Sequence, residues 1–454
     1  MGEAAKISLK AIGKQDTYLL SKDPDESFFN YTTDKRHSDF RKYHRNKNIV
    51  RPGNVTVGWP FGQTLKVEFN PRNMGDLLSN MWLSITMPGL RNPTDGNYAD
   101  QLGRHILKSV TMYVDDIEVE KIHDDWGIIY DDLYLETSEK VANRFLVNRN
   151  LGFDDAPLVG FQDEAQYDAD VVIPIHFFFS RKFASDEYDT NKPNRPYFPV
   201  CSVYRQKIEF ELEFHKASFF TDRDLVTNPI QLDSFNIVTE EITVSPEERN
   251  YLMSQRQVFI TDLVRKHPTI VSDLGKDIIR NNLVPNIPVK CIHWFLRNTI
   301  FENEDESIGD PVPATEGQRL YQNRFNFSSA LDFQGENTFF YPLMSEASFF
   351  INGNKLPNVS KTDHSYYKYL IPFQKRLSRP IRNIYTYSFS INPVNVEPSG
   401  NLDFSQIQSE KTNIEVKLDT DSGIDTSTET FSLNMYYTGY QTFVFDKGFM
   451  SIAY

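Results

Sequence analysis

The sequence predicts an all-β fold of two antiparallel sandwiches in tandem, with short helices. Three observations lead there. At 454 residues the chain outgrows one hydrophobic core, since cores stop growing at about 250–300 residues, so two similar-sized domains are expected. Aromatic residues make up 14% of the chain, with 35 Phe, 23 Tyr and 24 Pro, a balance that favours pleated, half-buried surfaces over helical packing. Short alternating runs occur in both halves with no alternation of strand and helix between them.

Residues 1–30 read as an arm with polar turns around Ser21-Lys22-Asp23-Pro24 and little periodicity, so its order depends on a neighbour. The first domain, residues 31–245, opens on a basic cluster: Lys35, Arg36, Arg41, Lys42, Arg45, Lys47 and Arg51, interleaved with Phe40 and Tyr43. It reads either as a solvated loop that pairs with acidic neighbours or as a surface for phosphate or anionic lipid. Strands are expected from about residue 64. Leu65, Val67 and Phe69 alternate with Lys66, Glu68 and Asn70, and an apolar run extends from Leu77 to Met87. One helix is expected over Asp124–Arg144, where Trp126, Ile129, Tyr130 and Leu133 recur at helical spacing behind an acidic start. Val171–Phe179 reads as a buried strand. Arg181–Pro196 has the composition of a long exposed loop. Over Lys207–His215 the alternation is clean, Ile208, Phe210, Leu212 and Phe214 against Glu209, Glu211 and Glu213. Phe235–Val244 closes the domain.

The second domain, residues 246–454, starts with a short helix announced by Ser245 as N-cap, Pro246 at the first helical position and carboxylates behind it. Strands are expected over Ile287–Leu296, Ala347–Asn352, Ile384–Ile391, Asn413–Leu418 and Phe431–Phe445, with a hairpin turn at Asn352-Gly353. Glu302–Gln318 and Asp419–Glu429 read as polar loops. Tyr385, Tyr387, Phe389 and Ile391 share one face of a pleat, after which Pro398, Gly400 and Asn401 supply a stiff reversal that re-enters a strand at Leu402.

The formal charge of −14, from 48 basic and 62 acidic residues, opposes a nucleic-acid backbone, so direct genome binding is not expected. Two cysteines, Cys201 and Cys291, exclude a disulfide framework and fit a reducing compartment. The amino terminus has no apolar signal region, Lys6 stands where a myristoylation signal wants Ser or Thr, and the longest apolar stretch is about half the ~20 residues of a membrane span. A soluble protein made in the cytosol is expected. No two glycines lie two apart, no Gly-Lys-Ser/Thr or Gly-x-Ser-x-Gly occurs, and the nine histidines are scattered, so dinucleotide, phosphate-loop, serine-hydrolase and zinc signatures are missing. Asp419-x-Asp421-x-Gly423-x-Asp425 resembles the start of a calcium loop, but Gly is one position early and Thr430 holds the twelfth place, so a solvated hairpin tip is the better reading. The pairs Asp115-Asp116, Asp124-Asp125 and Asp131-Asp132 have the residue types of glycosidase carboxylates, and in so acidic a chain such pairs arise by chance. Sequons at Asn30, Asn54, Asn326 and Asn358 are read as coincidence. No catalytic residue, cofactor or metal is expected.

The run from Tyr385 to Ile407, a Tyr-Ser-Phe strand followed by Glu397-Pro398-Ser399-Gly400 and Phe404-Ser405-Gln406-Ile407, resembles the major capsid proteins of nucleocytoplasmic large DNA viruses, of the iridovirus and chlorella-virus kind. The resemblance recurs in order along the chain. Gly13, Gln15, Asp16, Tyr18, Pro24 and Phe28-Phe29 look like the family's arm. Arg72-Asn73-Met74-Gly75-Asp76-Leu77 resembles its Arg-Asn-Gly-Asp-Leu segment with Met74 inserted. Ile173-Pro174-Ile175, Phe198-Pro199, Glu248-Arg249, Pro288-Val289-Lys290 with Trp294, and Gly448-Phe449-Met450 follow. Asp115-Asp116 replaces a usual Gly-Gly hairpin, and the Phe-Ala-Gln after the Glu-Arg pair is absent.

The resemblance implies two tandem eight-stranded jelly rolls in a non-enzymatic major capsid protein. Homotrimers of it would form pseudo-hexagonal capsomers that tile an icosahedral shell beside neighbouring capsomers, minor capsid proteins and an inner membrane, with synthesis and assembly in host cytoplasm. It would put the basic arm, including Lys35, Arg36, Arg41, Lys42 and Arg45, on the inner face, and give Gln15, Asp16, Pro24, Gly75, Asp76, Pro174, Trp294, Pro398, Ser399 and Gly400 structural roles. The rival readings are a minor capsid or scaffolding paralogue and a carbohydrate-binding sandwich.

Overall fold

The computed structural model describes residues 40–55, 57–89, 98–148, 168–181, 197–221, 225, 229–303, 324–329, 341–394 and 398–453. The first eight strands are β1 (Phe40–Val50), β2 (Thr64–Phe69), β3 (Leu77–Met87), β4 (Leu107–Val114), β5 (Ile117–His123), β6 (Ala169–Pro174), β7 (Ile208–Phe214) and β8 (Ser234–Val244). They form two antiparallel sheets, ordered β1-β8-β3-β6 and β2-β7-β4-β5. In the second half, β9 (Gln257–Lys266) and β10 (Ile270–Val271) lie in turn along β17 (Phe431–Asp446) as one interrupted strand. With β12 (Val289–Asn298) and β15 (Tyr385–Ser388) they complete a sheet, and β18 (Phe449–Ala453) pairs with the end of β17. The facing sheet is β11 (Ile278–Asn282), β16 (Asn413–Leu418), β13 (Met344–Ile351) and β14 (Asn354–Leu356), in that order. With β9 and β10 taken as one first strand, both halves have the same strand order, the double jelly roll.

Several elements follow directly from the sequence. β3 and β16 have the expected bounds, β7 is one residue shorter than expected at each end, and β8 is one residue longer at its start. The β13–β14 hairpin turns on Asn352 and Gly353 with φ of 51° and 81°, the left-handed pair such a turn requires. Ser245 caps a helix (Pro246–Ser254) by accepting from the Glu248 N–H at 3.3 Å. Gly400 takes φ of 119° as expected of the turn, but no strand resumes at Leu402, which makes only an isolated bridge to Val289 before a 3-10 turn over Phe404–Gln406.

Other expectations are corrected. The basic cluster is no loop from Phe40 onward, because β1 pairs along its whole length with β8. Both faces of β1 are polar, which hides its period of two, and its acidic partner strand is some two hundred residues away. The single helix expected over Asp124–Arg144 is two. After α1 (Leu102–Ile106), α2 (Asp124–Leu133) closes where the Tyr134 N–H bonds Tyr130, and α3 (Thr137–Val147) restarts behind a capping box of Glu136 and Glu139. Glu at an N-cap gives little sequence signal. The strand expected over Val171–Phe179 ends at Pro174, and the chain turns where the Ser180 N–H bonds Phe177. Pro174 sits on an edge strand, where a missing N–H costs no ladder bond. β15 stops at Ser388 because the Phe389 and Ser390 N–H groups both turn onto the Lys290 carbonyl, and Ile391 is left 79% exposed. The 181–196 and 302–318 loops lie almost wholly outside the described residues.

The second sandwich has a core of its own around Ile292, Trp294, Leu296, Phe349, Tyr385, Met435 and Tyr437. The first sandwich's core continues across into Val264, Phe295, Phe327, Tyr436, Phe443 and Phe445 of the second half. Alternate residues of β12 therefore serve two cores: Trp294 points into its own sandwich and Phe295 toward the first half.

Candidate functional site

The motif residues are joints. Gly75 lies where an added Cβ would stand 2.9 Å from both the Glu241 Cβ and the Tyr43 hydroxyl, and its N–H donates to Glu241 at 2.6 Å. The Asp76 carboxylate accepts from the Val244 N–H at 3.0 Å and pairs with Arg249 at 3.2 Å, tying the start of β3 to the end of β8 and to the helix that follows. Burial pushes the Asp76 carboxyl up, against those two partners. The Pro174 carbonyl accepts from Arg104 at 2.9 Å, and Arg104 also forks onto Asp131 at 2.8 and 2.9 Å. Trp294 is fully buried between Phe349, Tyr367 and Tyr385, with ring centroids 5.0 to 5.8 Å away. The Ser399 hydroxyl accepts from the Asn392 N–H at 3.0 Å and donates to the Asn392 carbonyl at 2.9 Å, while the Ser399 carbonyl accepts from the Ile391 N–H. Pro398 and Gly400 set the turn that brings that serine onto the end of β15.

Lys42 pairs with Glu240 at 2.6 Å and Arg45 with Glu241 at 2.8 Å, so both cations are tied to β8. Gln15, Asp16, Pro24, Lys35 and Arg36 lie outside the described residues.

Between the halves runs a seam of buried polar groups. Glu120, on β5, accepts from Arg181 at 2.9 Å and from the Phe178 and Val264 N–H groups, both at 2.8 Å. Burial pushes its carboxyl up, opposed by Arg181 and those two donors. Asp125 of α2 takes Arg297 at 3.0 Å and Lys266 at 3.3 Å, and Asp132 takes Arg382 at 3.3 Å. The Tyr134 hydroxyl meets the His293 Nε2 at 2.9 Å, and the other ring nitrogen meets Thr386. Burial holds His293 neutral, down to about 3. A charge sealed in this way is costly to strip of its partner, about 3–5 kcal/mol, although the pair adds little over an apolar contact of equal size.

Sequence reading missed this seam. Its one trace is the polar residues set into the apolar run of β12, His293 and Arg297 four apart between Lys290 and Asn298. Three of the acidic residues singled out as possible glycosidase carboxylates, Asp125, Asp131 and Asp132, are bonded to arginines, and Asp124 meets His215 at 2.9 Å. Asp115 has φ of 52° and turns the β4–β5 hairpin. Asp419 and Asp425 accept from the N–H groups of Asp421 and Ser427 within their own turns. Among the described residues no cluster of three or more His, Cys, Asp or Glu could hold a metal. No helix among them is long and apolar enough to cross a membrane.

Two family models divide the chain between them. One, described as the major capsid protein N-terminus, matches residues 32–250, and the other, the large eukaryotic DNA virus major capsid protein, matches residues 240–451. The chain belongs to the major capsid protein family of the nucleocytoplasmic large DNA viruses. The major capsid protein of Paramecium bursaria Chlorella virus 1 is 22% identical over 467 residues, covering 98% of each chain. The solved capsid of that virus covers 94% of this chain and 100% of its own, at a TM-score of 0.69 and 16% identity. The Faustovirus major capsid protein covers 92% of both chains at a TM-score of 0.62 and 11% identity. Identities this low show the fold alone, and the family models carry the assignment. As a member of this family, the chain is a structural protein of the virion capsid and assembles with other capsid subunits.

Proposed function

We propose that three copies of this major capsid protein form a pseudo-hexagonal capsomer that tiles a large icosahedral shell, with no catalytic or cofactor chemistry of its own. The observation that carries the reading is the repeat of one jelly-roll topology in both halves, matched over residues 32–451 by major capsid family models: three such chains present six similar domains. A domain boundary at residues 245/246 follows the sheets, since the first two close at β8 and the capped helix begins at Pro246. The structural roles proposed for Gly75, Asp76, Pro174, Trp294, Pro398, Ser399 and Gly400 are supported by the bonds and packing described above.

In this reading the arm, with Gln15, Asp16, Pro24, Lys35 and Arg36, faces inward toward minor capsid proteins or an inner membrane, and Lys42 and Arg45 anchor its root on β8. Synthesis and assembly take place in host cytoplasm, and the genome is not bound directly. Light scattering on a sizing column tests the core of the proposal. A trimer of the 52.8 kDa chain that resists dilution is expected, and a well-folded monomer would point to a minor capsid role. Removing residues 1–30 leaves β1 in place, so it should spare the trimer and impair shell assembly. Loss of the trimer itself would count against the inward arm.

A further inference from the structure

One end of the molecule gathers several chain segments. β8 finishes at Val244, opposite Phe40 at the start of β1, and the capped helix Pro246–Ser254 follows. β9 starts at Gln257, and β17 turns back through Lys447 and Gly448, with φ of 52° and 88°, into β18. Between these segments lies a cleft of about 470 Å³ lined by Tyr204, Arg205, Asn250, Met253, Ser254 and Lys447. Its wall is close-packed: the Gly448 carbonyl accepts from the Arg205 N–H at 3.3 Å, and a Cβ on Gly448 would stand 2.8 Å from the Tyr204 ring. The Arg205 guanidinium lies over the Tyr204 and Phe449 rings, 5.6 and 5.7 Å from their centroids. Arg205, Lys447 and Arg256, two residues beyond Ser254, are exposed, and among the described residues none of them forms an ion pair. The helix carries its own carboxylates, Glu247 and Glu248, in the first turn, at the other end from Met253 and Ser254. In a chain of formal charge −14, these cations, with Tyr251 61% exposed and Phe449 48% exposed beside them, make a basic and aromatic surface.

The same chain carries the complement. Asp23-Pro24-Asp25-Glu26-Ser27-Phe28-Phe29, outside the described residues, puts three carboxylates and two aromatic rings in seven residues, and no cation follows before Lys35. Phe28 is twelve residues before Phe40, a reach of up to ~40 Å when extended, whereas the helix leading from β8 to the cleft is about 13 Å long.

We propose that this cleft is the seat of the chain's own 23–29 segment, with its carboxylates at Arg205, Lys447 and Arg256 and its phenylalanines against Tyr251 and Phe449. The seat goes beyond the capsomer reading, because it concerns one chain and holds whether or not three chains associate. It fixes the arm at the end of the molecule where β1 begins.

The test is hydrogen exchange read by mass spectrometry on the full chain, with native mass and thermal unfolding recorded on the same samples. Backbone amides of the 23–29 segment should exchange more slowly than those of a peptide of the same sequence, and the protection should weaken in about 1 M salt, where the screening length falls to about 3 Å. Arg205→Glu with Lys447→Glu should remove the protection without moving the melt, since both side chains are exposed. Asp25→Lys with Glu26→Lys should remove it as well, and the four substitutions together should restore it. With both native cysteines buried, a disulfide between Ser27→Cys and Ser254→Cys should close within one chain mass on a non-reducing gel, and a band of two masses would give the cleft to a second copy's segment. Wild-type exchange as fast as the peptide's, or charge reversals that do not rescue one another, would overturn the seat. A trimer with an unprotected segment would sink this inference alone, and a monomer with a protected one would sink the capsomer alone.

Discussion

Strands β3 and β12 hold the same place in their sandwiches, yet β12 buries all ten of its residues while β3 alternates buried and half-buried positions almost from end to end. β17 is likewise buried without a break over its first eleven residues, where its counterpart β8 begins by alternating. Position within a jelly roll thus fixes which residues face the sandwich's own core, and the neighbour on the other side decides whether the remaining residues must also be sealed. Where that neighbour belongs to the same chain, the outer face has taken up Phe295 and Tyr436 together with paired charges. Where it does not, the face carries Lys42, His44, Asn46 and Asn48.

Substitutions on the two faces should therefore differ most where a sealed charge loses its partner. Glu120→Ala takes from the buried Arg181 its nearer carboxylate, leaving only Asp262 at 4.0 Å, and should cost about 3–5 kcal/mol in urea unfolding. Asn46→Ala on the outer face of β1 should stay within about 0.5 kcal/mol. Equal costs at the two sites would break the comparison.

Apolar truncation should give the next contrast. Phe295→Ala opens a cavity against the stacked Phe327 ring, 3.9 Å away, and should cost about 3–5 kcal/mol. Trp82→Ala, from a half-exposed site, should cost clearly less in the monomer by the same measurement. A smaller effect, about 1–3 kcal/mol, is expected for Gly75→Ala, whose new methyl must displace the Glu241 side chain or the Tyr43 hydroxyl where β1 pairs with β8. A thermal melt unchanged from wild type would remove Gly75 from the joint.

The seam should also respond to acid. The His293 pKa falls from 6.5 to about 3 on burial, so between those values the unfolded chain takes up a proton that the folded chain refuses. Its contribution is complete above about pH 6.5 and is lost as the pH falls toward 3. His293→Gln should make the fall of melting temperature with acidification shallower over that window. An unchanged slope would mean that the histidine is not sealed by the first half.

Much of this was legible in the sequence because it depends on near neighbours. The alternation of β7, the left-handed pair at Asn352-Gly353 and the Ser245 cap each arise within a few residues. The break between α2 and α3 was less legible, because the chain resumes a helical spacing after Glu136 and nothing apolar marks the gap. β1 was invisible, since a strand polar on both faces is recognised only by its partner. The seam left only His293 and Arg297 as a trace, and neither residue type indicates which carboxylate it will meet.

By itself the sequence determined two β domains of similar size, the bounds of several strands, the turns at Asn352-Gly353 and Pro398-Ser399-Gly400, and the ordered motifs that join this chain to its family. These follow from local conformational preference and from the period of side chains along a strand. Tertiary structure alone decided which outer faces are sealed, that Lys42 and Arg45 are tied to β8, and that Glu120 meets Arg181 and the backbone of Val264, a residue 144 positions away. A buried charge is tolerated only when partners from distant parts of the chain converge on it, and that convergence depends on how the two sandwiches pack rather than on any local run of residues.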